Sequence, residues 1–427
     1  MTVYSLIYII LSVILLLYSI RNRLDLLCIA SVCYLVYTMY CIPGTGISGY
    51  YRPVLSHSLY YSVFTQLVII TSFVLIARYT IKHRNATQQT PLQEKGNDED
   101  NNKNERLLKT AFRIYTLIIV AFAAMNIASV GLSGFMAGKS VVWEQTNVFY
   151  IVSLYGAWPS FAYGVHKKDM LVWIPSLLVE LSIFFAGSRA FTATIIIIFL
   201  CERGTILWQK KKDFIMIYIL GGIGVLFLLL YRKIDTFIME GDINGALNAL
   251  LRPQTWMEAL EFNEPRVIIA NYDYAFTSGM RFPIGDVVYR IIDFVPGLTS
   301  LVGIKLKYPE YYSSWLMDEV HASAGVGGSI WGESYAMMGF LGIIFFTIVW
   351  LVFINFCNKH LDYHSSYSYF IVSLGTYLAW YINRLDYNRV AQSFKVLLLC
   401  FLIWAIVYLF IGGTIIIGKY CIKLRNS

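Results

Sequence analysis

The sequence predicts an all-α polytopic membrane protein with about eleven transmembrane helices and one large, partly helical extracytoplasmic loop. Of its 427 residues, 57% are hydrophobic and only 14% are charged, whereas soluble domains average about 25% charged residues. A protein with so few charged residues cannot form a polar surface that faces water on all sides. Most of its surface is therefore expected to contact lipid. Apolar runs long enough to cross a bilayer also recur along the chain.

The candidate spans are the apolar runs of roughly 18 or more residues. They lie near 3–20, 24–42, 58–77, 110–130, 147–165, 170–186, 190–208, 213–231, 331–354, 367–382 and 390–417. Each is expected to be a helix, because a segment inside a bilayer must satisfy its own backbone hydrogen bonds. The run at 190–208 is the weakest, since its strongly apolar part ends near Leu200.

The distribution of Lys and Arg predicts the orientation, because basic residues concentrate in cytoplasmic loops. The segment 78–109 is rich in both and is placed in the cytoplasm, with a polar centre, about 82–106, that is expected to be disordered. Threading outward puts further basic residues on the same side: 21–23, 167–168, 210–212, Lys359 and 419–425. The N-terminus is then outside and the C-terminus cytoplasmic. The net charge of +8 is therefore orientation charge and does not indicate a nucleic-acid partner.

The chain divides into helices 1–8 over 1–231, the large loop over 232–330, and helices 9–11 over 331–427. Long loops are exempt from the charge rule, and aromatic residues spread along this loop indicate that it folds. Asn263-Glu264-Pro265-Arg266 is typical of a helix start, with Asn as the N-cap and Pro in the first turn. None of the seven Cys residues lies in the loop, so a disulfide framework is not expected.

Arginines are the first candidate site residues. In the short outer turn Gly187-Ser188-Arg189, Arg189 and the N-terminus of the following helix both favour a bound anion. The alternative is an Arg that snorkels to lipid phosphate. In the large loop, Arg side chains can hold phosphate bidentately, or each can pair with a local acid such as Glu264, Asp286 or Asp293. The loop arginines are Arg252, Arg266, Arg281 and Arg290.

A glycine-rich run from 325 to 335 leads out of the loop into a membrane helix, and His321 precedes it. Glu333 would lie at the outer membrane surface, where ionisable groups are costly and usually functional. Glu333 or His321 could act as a general base toward a hydroxyl group. The alternative is a hinge with a hydrogen-bonded Glu333.

Two more features stay open in the sequence. Arg384 and Arg389 lie in a short outer turn and could add to the anion site, or could pair with Asp386. Glu180 lies inside the sixth span, as either a buried polar contact or part of the site. The outer loop at 43–57 has no acidic residue, and Asp98-Glu99-Asp100 falls in the cytoplasmic segment, so neither a metal nor another cofactor is expected.

These residues together resemble the O-antigen polymerases, the oligosaccharide repeat unit polymerases of bacterial surface polysaccharide synthesis. The resemblance covers the whole architecture. Its local signatures are Gly187-Ser188-Arg189, the helix start with Glu264 and Arg266, the stretch Asp293-Phe294-Val295-Pro296-Gly297, and the run at 328–335 that ends in Tyr335. The run at 328–335 is the most specific of the four.

The resemblance implies a fold similar to that of the O-antigen ligases and a site at the periplasmic face of the bacterial inner membrane. Such enzymes join undecaprenyl-diphosphate-linked repeat units without metal or nucleotide sugar. The arginines and Tyr335 would bind the diphosphate and the glycan, and Glu333, His321 or Glu264 would activate the acceptor hydroxyl. A chain-length regulator is an implied partner. The Arg-x10-Gly spacing described in the family is absent from the loop arginines, so a handover between two Arg loops is not expected.

Three other functions compete with this one. An O-antigen ligase shares the chemistry but delivers the glycan to the lipid A core. A flippase for lipid-linked oligosaccharides would typically show internal repeats and broken mid-membrane helices, and the sequence shows no repeat. A metal-dependent glycosyltransferase is disfavoured by the missing outer acidic pair.

Overall fold

The computed structural model describes residues 3–21, 25–38, 67–79, 98–131, 147–185, 189–208, 234, 237, 241–256, 264–321, 327–363, 365–417 and 420–423. These residues are helical except for connections and one short hairpin. The helices are α1 Val3–Arg21, α2 Leu26–Thr38, α3 Leu67–Tyr79, α4 Asp98–Val130, α5 Val148–His166, α6 Met170–Phe185, α7 Arg189–Trp208, α8 Ile243–Leu251, α9 Glu264–Thr277, α10 Ile284–Ile292, α11 Leu298–Val302, α12 Tyr312–Glu319, α13 Ile330–Met338, α14 Phe340–Asn358, α15 Ser368–Tyr381 and α16 Tyr387–Phe410.

Among the described residues, three apolar stretches are long enough to cross a membrane: Asn104–Val130, Ile330–Asn358 and Tyr387–Phe410. Shorter apolar helices accompany them in α1, α2, α3, α6 and α7. Their outward faces carry large aliphatic and aromatic side chains, as a lipid environment requires. The prediction of a helical membrane protein is confirmed to this extent. The count of eleven spans stays a prediction, and the predicted span 213–231 lies outside the described residues.

Aromatic packing holds the centre of the bundle together. Phe112 of α4 stacks on Tyr163 of α5 with ring centroids 4.0 Å apart, and it meets Tyr369 of α15 edge-on at 5.3 Å. Trp404 of α16 lies 5.5 Å from the same ring. Each aromatic pair of this kind adds about 0.5–1.5 kcal/mol beyond its burial, so one buried phenylalanine links four helices.

Polar bonds join the helices at both ends of the bundle. The backbone N–H of Leu26 donates to Oδ1 of Asn358 over 2.8 Å. Arg113 holds Asp169 bidentately at 2.9 and 3.2 Å. At the other end, the indole N–H of Trp331 donates to Oδ1 of Asn383 over 3.0 Å. These bonds fix the helices to one another, and the threading predicted from the basic clusters stays a prediction.

The predicted end of the last span is wrong. The predicted span 390–417 ends early, at Phe410, because Gly412 adopts φ +88° and turns the chain. The β-branched run Thr414–Ile417 then pairs antiparallel with Tyr420–Lys423 as a short hairpin, β1 and β2.

The expected disordered segment 82–106 is also helical from Asp98 onward. Asp98, Glu99 and Asp100 are the first three residues of α4, and acidic residues are common at helix N-termini. Farther along, Glu105 pairs with Lys167 at 2.7 Å.

The predicted span 331–354 is two helices rather than one. α13 ends and α14 begins at Gly339, whose φ of 65° and ψ of −147° are accessible only to glycine. The break exposes the carbonyl group of Ala336, which accepts a 2.8 Å hydrogen bond from the N–H of Phe282. The large loop is thereby attached to the membrane helix at the point where the helix is interrupted.

Candidate functional site

Glu333 lies at the junction between the loop helices and the membrane helices. Ser329 caps α13 through a bond from the N–H of Gly332, and this places Glu333 in the first turn. Its carboxylate is buried. Oε1 accepts from Nε of Arg290 over 2.6 Å, and Oε2 accepts from the N–H of Tyr387 over 2.7 Å. Both oxygens therefore bind protein groups, and Glu333 connects α10, α13 and α16.

Arg290, a predicted diphosphate ligand, uses its donors inside the protein. Besides Glu333, it donates from Nη2 to the carbonyl group of Pro309 over 2.9 Å, and its guanidinium lies 4.0 Å from the ring centroid of Phe282. Nη1 is 4.0 Å from Oδ2 of Asp286. The structure thus brings Arg290 and Glu333 together, but as a buried pair that is closed to solvent.

Asp386, the residue before α16, is the site residue that the sequence reasoning missed. It is buried, and Oδ2 accepts from the hydroxyl of Ser313 over 2.6 Å. Oδ1 has no hydrogen-bond partner among the described residues, and a Cβ added at Gly328 would overlap it. Burial raises the pKa of the Asp386 carboxyl, and the bond from Ser313 opposes that shift. The sequence offered one signal, an Asp at an N-cap position, which here makes no capping bond.

Two predicted arginines lie on either side of Asp386. Arg389 is exposed, with its guanidinium 5.5 Å from the ring of Tyr311. Its charge is close enough to Asp386 to lower the pKa of that carboxyl. Arg384 is half-buried, 5.7 Å from the ring of Tyr381. No ion pair between Asp386 and either arginine is observed among the described residues, and Ser313 binds Oδ2 instead.

A second polar group ties α16 to the loop. Lys395 contacts Oδ1 of Asp293 at 2.8 Å, and the amide of Asn388 donates to Asp293 and to Glu310. The Tyr289 hydroxyl donates to the same Glu310 over 3.0 Å. Burial and the Glu310 carboxylate raise the pKa of Tyr289 to about 12, so this tyrosine stays a neutral donor at ordinary pH.

Three more predicted site residues lie apart from Glu333. Tyr335 is enclosed between the ring of Phe276, 3.9 Å away, and the guanidinium of Arg281, 4.0 Å away. His321 is exposed just after α12, with φ +50°. Arg252 is exposed at the end of α8. The structure therefore groups Arg281 with Tyr335 and leaves His321 and Arg252 on the surface.

For the other predicted residues the structure describes the backbone. Glu264 is the first residue of α9 and Arg266 the third, and Arg189 is the first residue of α7. Both predicted helix starts are confirmed, whereas Asn263 and Ser188 lie outside the described residues. α9 reaches the junction, because the amide of Asn271 donates to the carbonyl group of Gly327.

Glu180 is buried in α6 beside the indole of Trp158, and neither carboxylate oxygen has a hydrogen-bond partner among the described residues. Its main-chain oxygen accepts from the hydroxyl of Thr192 over 3.0 Å. Glu180 thus makes no bond to the groups around Glu333. In the described ranges, no three His, Cys, Asp or Glu side chains are arranged to hold a metal ion.

Comparison of the chain with known protein families, with characterised proteins and with solved structures found no match.

Proposed function

We propose that this protein joins undecaprenyl-diphosphate-linked oligosaccharide repeat units at the periplasmic face of the bacterial inner membrane. One observation carries the proposal from the structural side. Just before α16, Oδ1 of Asp386 has no hydrogen-bond partner among the described residues, and the charge of the exposed Arg389 acts on the same carboxyl. The resemblance to repeat unit polymerases supplies the substrate class, since glycosyl transfer from a lipid diphosphate needs both a base and a cation.

In the proposed reaction, a hydroxyl oxygen of one repeat unit attacks the anomeric carbon of the glycan on a second lipid. The new glycosidic bond forms as the bond from that carbon to the diphosphate oxygen breaks. The electron pair leaves with undecaprenyl diphosphate, and the hydroxyl proton passes to a carboxylate. No metal or nucleotide sugar takes part in this scheme.

Among the carboxylates, Asp386 suits the role of base better than Glu333. Both oxygens of Glu333 already accept bonds from Arg290 and Tyr387, so a proton transfer there would break the junction. In the described part of the chain Oδ1 of Asp386 has no hydrogen-bond partner, and burial raises the pKa of the carboxyl, which makes it a better proton acceptor. Glu333 then acts as a positioning residue.

Arg389 and Arg384 are assigned to the diphosphate. Charge develops on the leaving diphosphate as the glycosidic bond breaks, and fixed cations stabilise that charge in the transition state. Arg389 is exposed and forms no ion pair in the part of the chain that the structure describes. Arg290 is excluded from this role as long as it holds Glu333.

The proposal is tested by deleting the gene and examining the lipopolysaccharide or capsule ladder on a gel. We expect a single repeat unit on the lipid core in the deletion strain, and restored long chains with the wild-type gene. The Asp386→Asn variant should restore no long chains although it reaches the membrane at the same level. The matched control Asp318→Asn, at an exposed loop position, should restore them fully.

Other ladders would point to other functions. Long chains that stay on undecaprenyl diphosphate and off the core would identify a ligase. Repeat units that accumulate on the cytoplasmic side would identify a flippase. If the deletion strain loses long chains but the Asp386→Asn variant makes a normal ladder, the protein is a polymerase and Asp386 is not its base.

A further inference from the structure

Helix α10, in the large loop, has its charges inside and its aliphatic side chains outside. Asp286 and Arg290 are each 1% exposed, whereas Ile284 is 83% and Ile291 50% exposed. A helix on the surface of a water-facing domain has the opposite arrangement. The outer face of α10 therefore needs an apolar partner.

The polar face of α10 is fixed in place by bonds to the rest of the protein. Arg290 binds Glu333 and the carbonyl group of Pro309. The Asp286 carboxylate accepts from the N–H groups of Lys307 and Tyr308, both over 3.0 Å. Turning the aliphatic side chains inward would break all of these bonds, so their exposure is a stable property of the fold.

The apolar surface continues beyond α10. Val295 follows it along the chain, and Leu301 and Val302 of α11 are 85% and 52% exposed. Gly297 and Gly303 bracket α11 with positive φ angles, which allow the tight turns at its two ends. Exposed aliphatic side chains thus recur from 284 to 302, called here the aliphatic face, and grouped exposed apolar side chains mark interaction sites.

This aliphatic face adjoins the lipid-facing surface of a membrane helix. The chain enters α10 from Phe282, whose N–H binds the carbonyl group of Ala336, at the end of α13. α14 begins four residues after Ala336 and exposes Leu341 and Phe345 on its outer side. Both apolar surfaces therefore start from the same junction.

The basic residues at the far end of the face fit a membrane surface. Lys305 and Lys307 follow α11 and are both exposed. Lysines at the edge of an apolar face bind anionic lipid headgroups while the aliphatic side chains enter the acyl region. A protein partner would give no reason for the continuity with α14.

We propose that residues 284–302 lie in the interfacial layer of the bilayer, with the side chains of Ile284, Ile291 and Leu301 among the acyl chains. The partner of this face is the lipid surface itself. The inference does not depend on the reaction that the protein catalyses. It places the buried Arg290–Glu333 pair at the depth of the lipid headgroups.

The test measures collisions of a nitroxide with oxygen, which concentrates in lipid, and with a water-soluble nickel chelate. Nitroxides are attached to Ile284→Cys, Ile291→Cys and, as the control, Asp318→Cys of the full chain in phosphatidylethanolamine–phosphatidylglycerol vesicles. The wild-type chain, labelled in parallel, gives the background from native cysteines. We expect the ratio of oxygen to nickel collisions to be several-fold higher at 284 and 291 than at 318.

Two results would overturn the proposal. A ratio at 284 and 291 equal to that at 318 would show that the face meets water. Protection from both reagents would show that protein covers it, either a second copy or another partner. If Ile284→Cys does not give a monodisperse protein, Leu301→Cys replaces it, because Leu301 is equally exposed on the same face.

Discussion

At the scale of single residues, the junction depends on a buried ion pair. Desolvating a guanidinium and a carboxylate costs several kcal/mol for each ion, and only good geometry with further hydrogen bonds offsets that cost. Arg290 and Glu333 meet this condition, with a 2.6 Å contact and additional bonds to Pro309 and Tyr387. Removing either partner alone leaves an uncompensated buried charge.

We therefore expect Arg290→Met to destabilise the protein by about 3–5 kcal/mol. Replacing both members, as Arg290→Met with Glu333→Gln, should cost less than Arg290→Met alone, because the neutral amide still accepts the N–H of Tyr387. The control Arg252→Met changes an exposed arginine and should stay within about 0.5 kcal/mol of wild type. The variants are ranked by their apparent melting temperatures in detergent. If the destabilisation of the double variant equals the sum for Arg290→Met and Glu333→Gln alone, the two residues are not coupled.

The sequence indicated Arg290 and Glu333 separately, each with a different role. Their contact spans 43 positions along the chain, and no local pattern predicts a pair at that separation. The local pairing considered for Arg290 was with Asp286, which lies 4.0 Å away, farther than Glu333. Asp386 was considered only as an arginine partner, since its bond to Ser313 depends on how the loop folds back.

At the scale of elements, the break between α13 and α14 joins the loop to the membrane helices. Gly339 has φ 65° and ψ −147°, a conformation that costs other residues about 1–3 kcal/mol. Gly339→Ala should lower stability by about that amount and loosen the bond from Phe282 to Ala336.

A matched control exists in α10. An alanine Cβ at Gly285 would meet only Ile304, at an ordinary 3.7 Å. Gly285→Ala should therefore be neutral or stabilising by up to about 1 kcal/mol. Both changes are measured as shifts in the apparent melting temperature. Equal shifts would show that the Gly339 conformation imposes no requirement for glycine.

Helix starts were easier to predict than helix ends. Glu264 begins a helix as predicted, because a Pro in the first turn acts locally. The predicted end of α16 was wrong, because hydropathy does not distinguish a helix from the β-branched strand Thr414–Ile417. The start of α4 at Asp98 was not predicted. The polar composition of 82–106 indicated disorder, and it outweighed the three acidic residues at the helix N-terminus.

At the scale of the whole molecule, the two ends of the bundle differ in the groups they collect. One end holds Arg113 with Asp169 and Lys167 with Glu105. The other holds the Glu333 junction and the aliphatic face of 284–302. The positive-inside rule predicts that the first end is cytoplasmic. On that prediction, the proposed site for lipid-linked repeat units lies at the second end.

That assignment predicts opposite reactivity for two exposed positions. A membrane-impermeant maleimide added to sealed right-side-out vesicles should label Asp318→Cys at once and Lys359→Cys only after permeabilisation. Wild-type vesicles give the background from native cysteines. Immediate labelling of position 359 alone would show that the protein has the opposite orientation. The proposed function would then be wrong, since polymerisation of exported repeat units needs a periplasmic site. Immediate labelling of both positions would place Asp318 and Lys359 on the same side of the membrane. It would contradict the prediction that the stretch Ile330–Asn358 crosses the membrane between them.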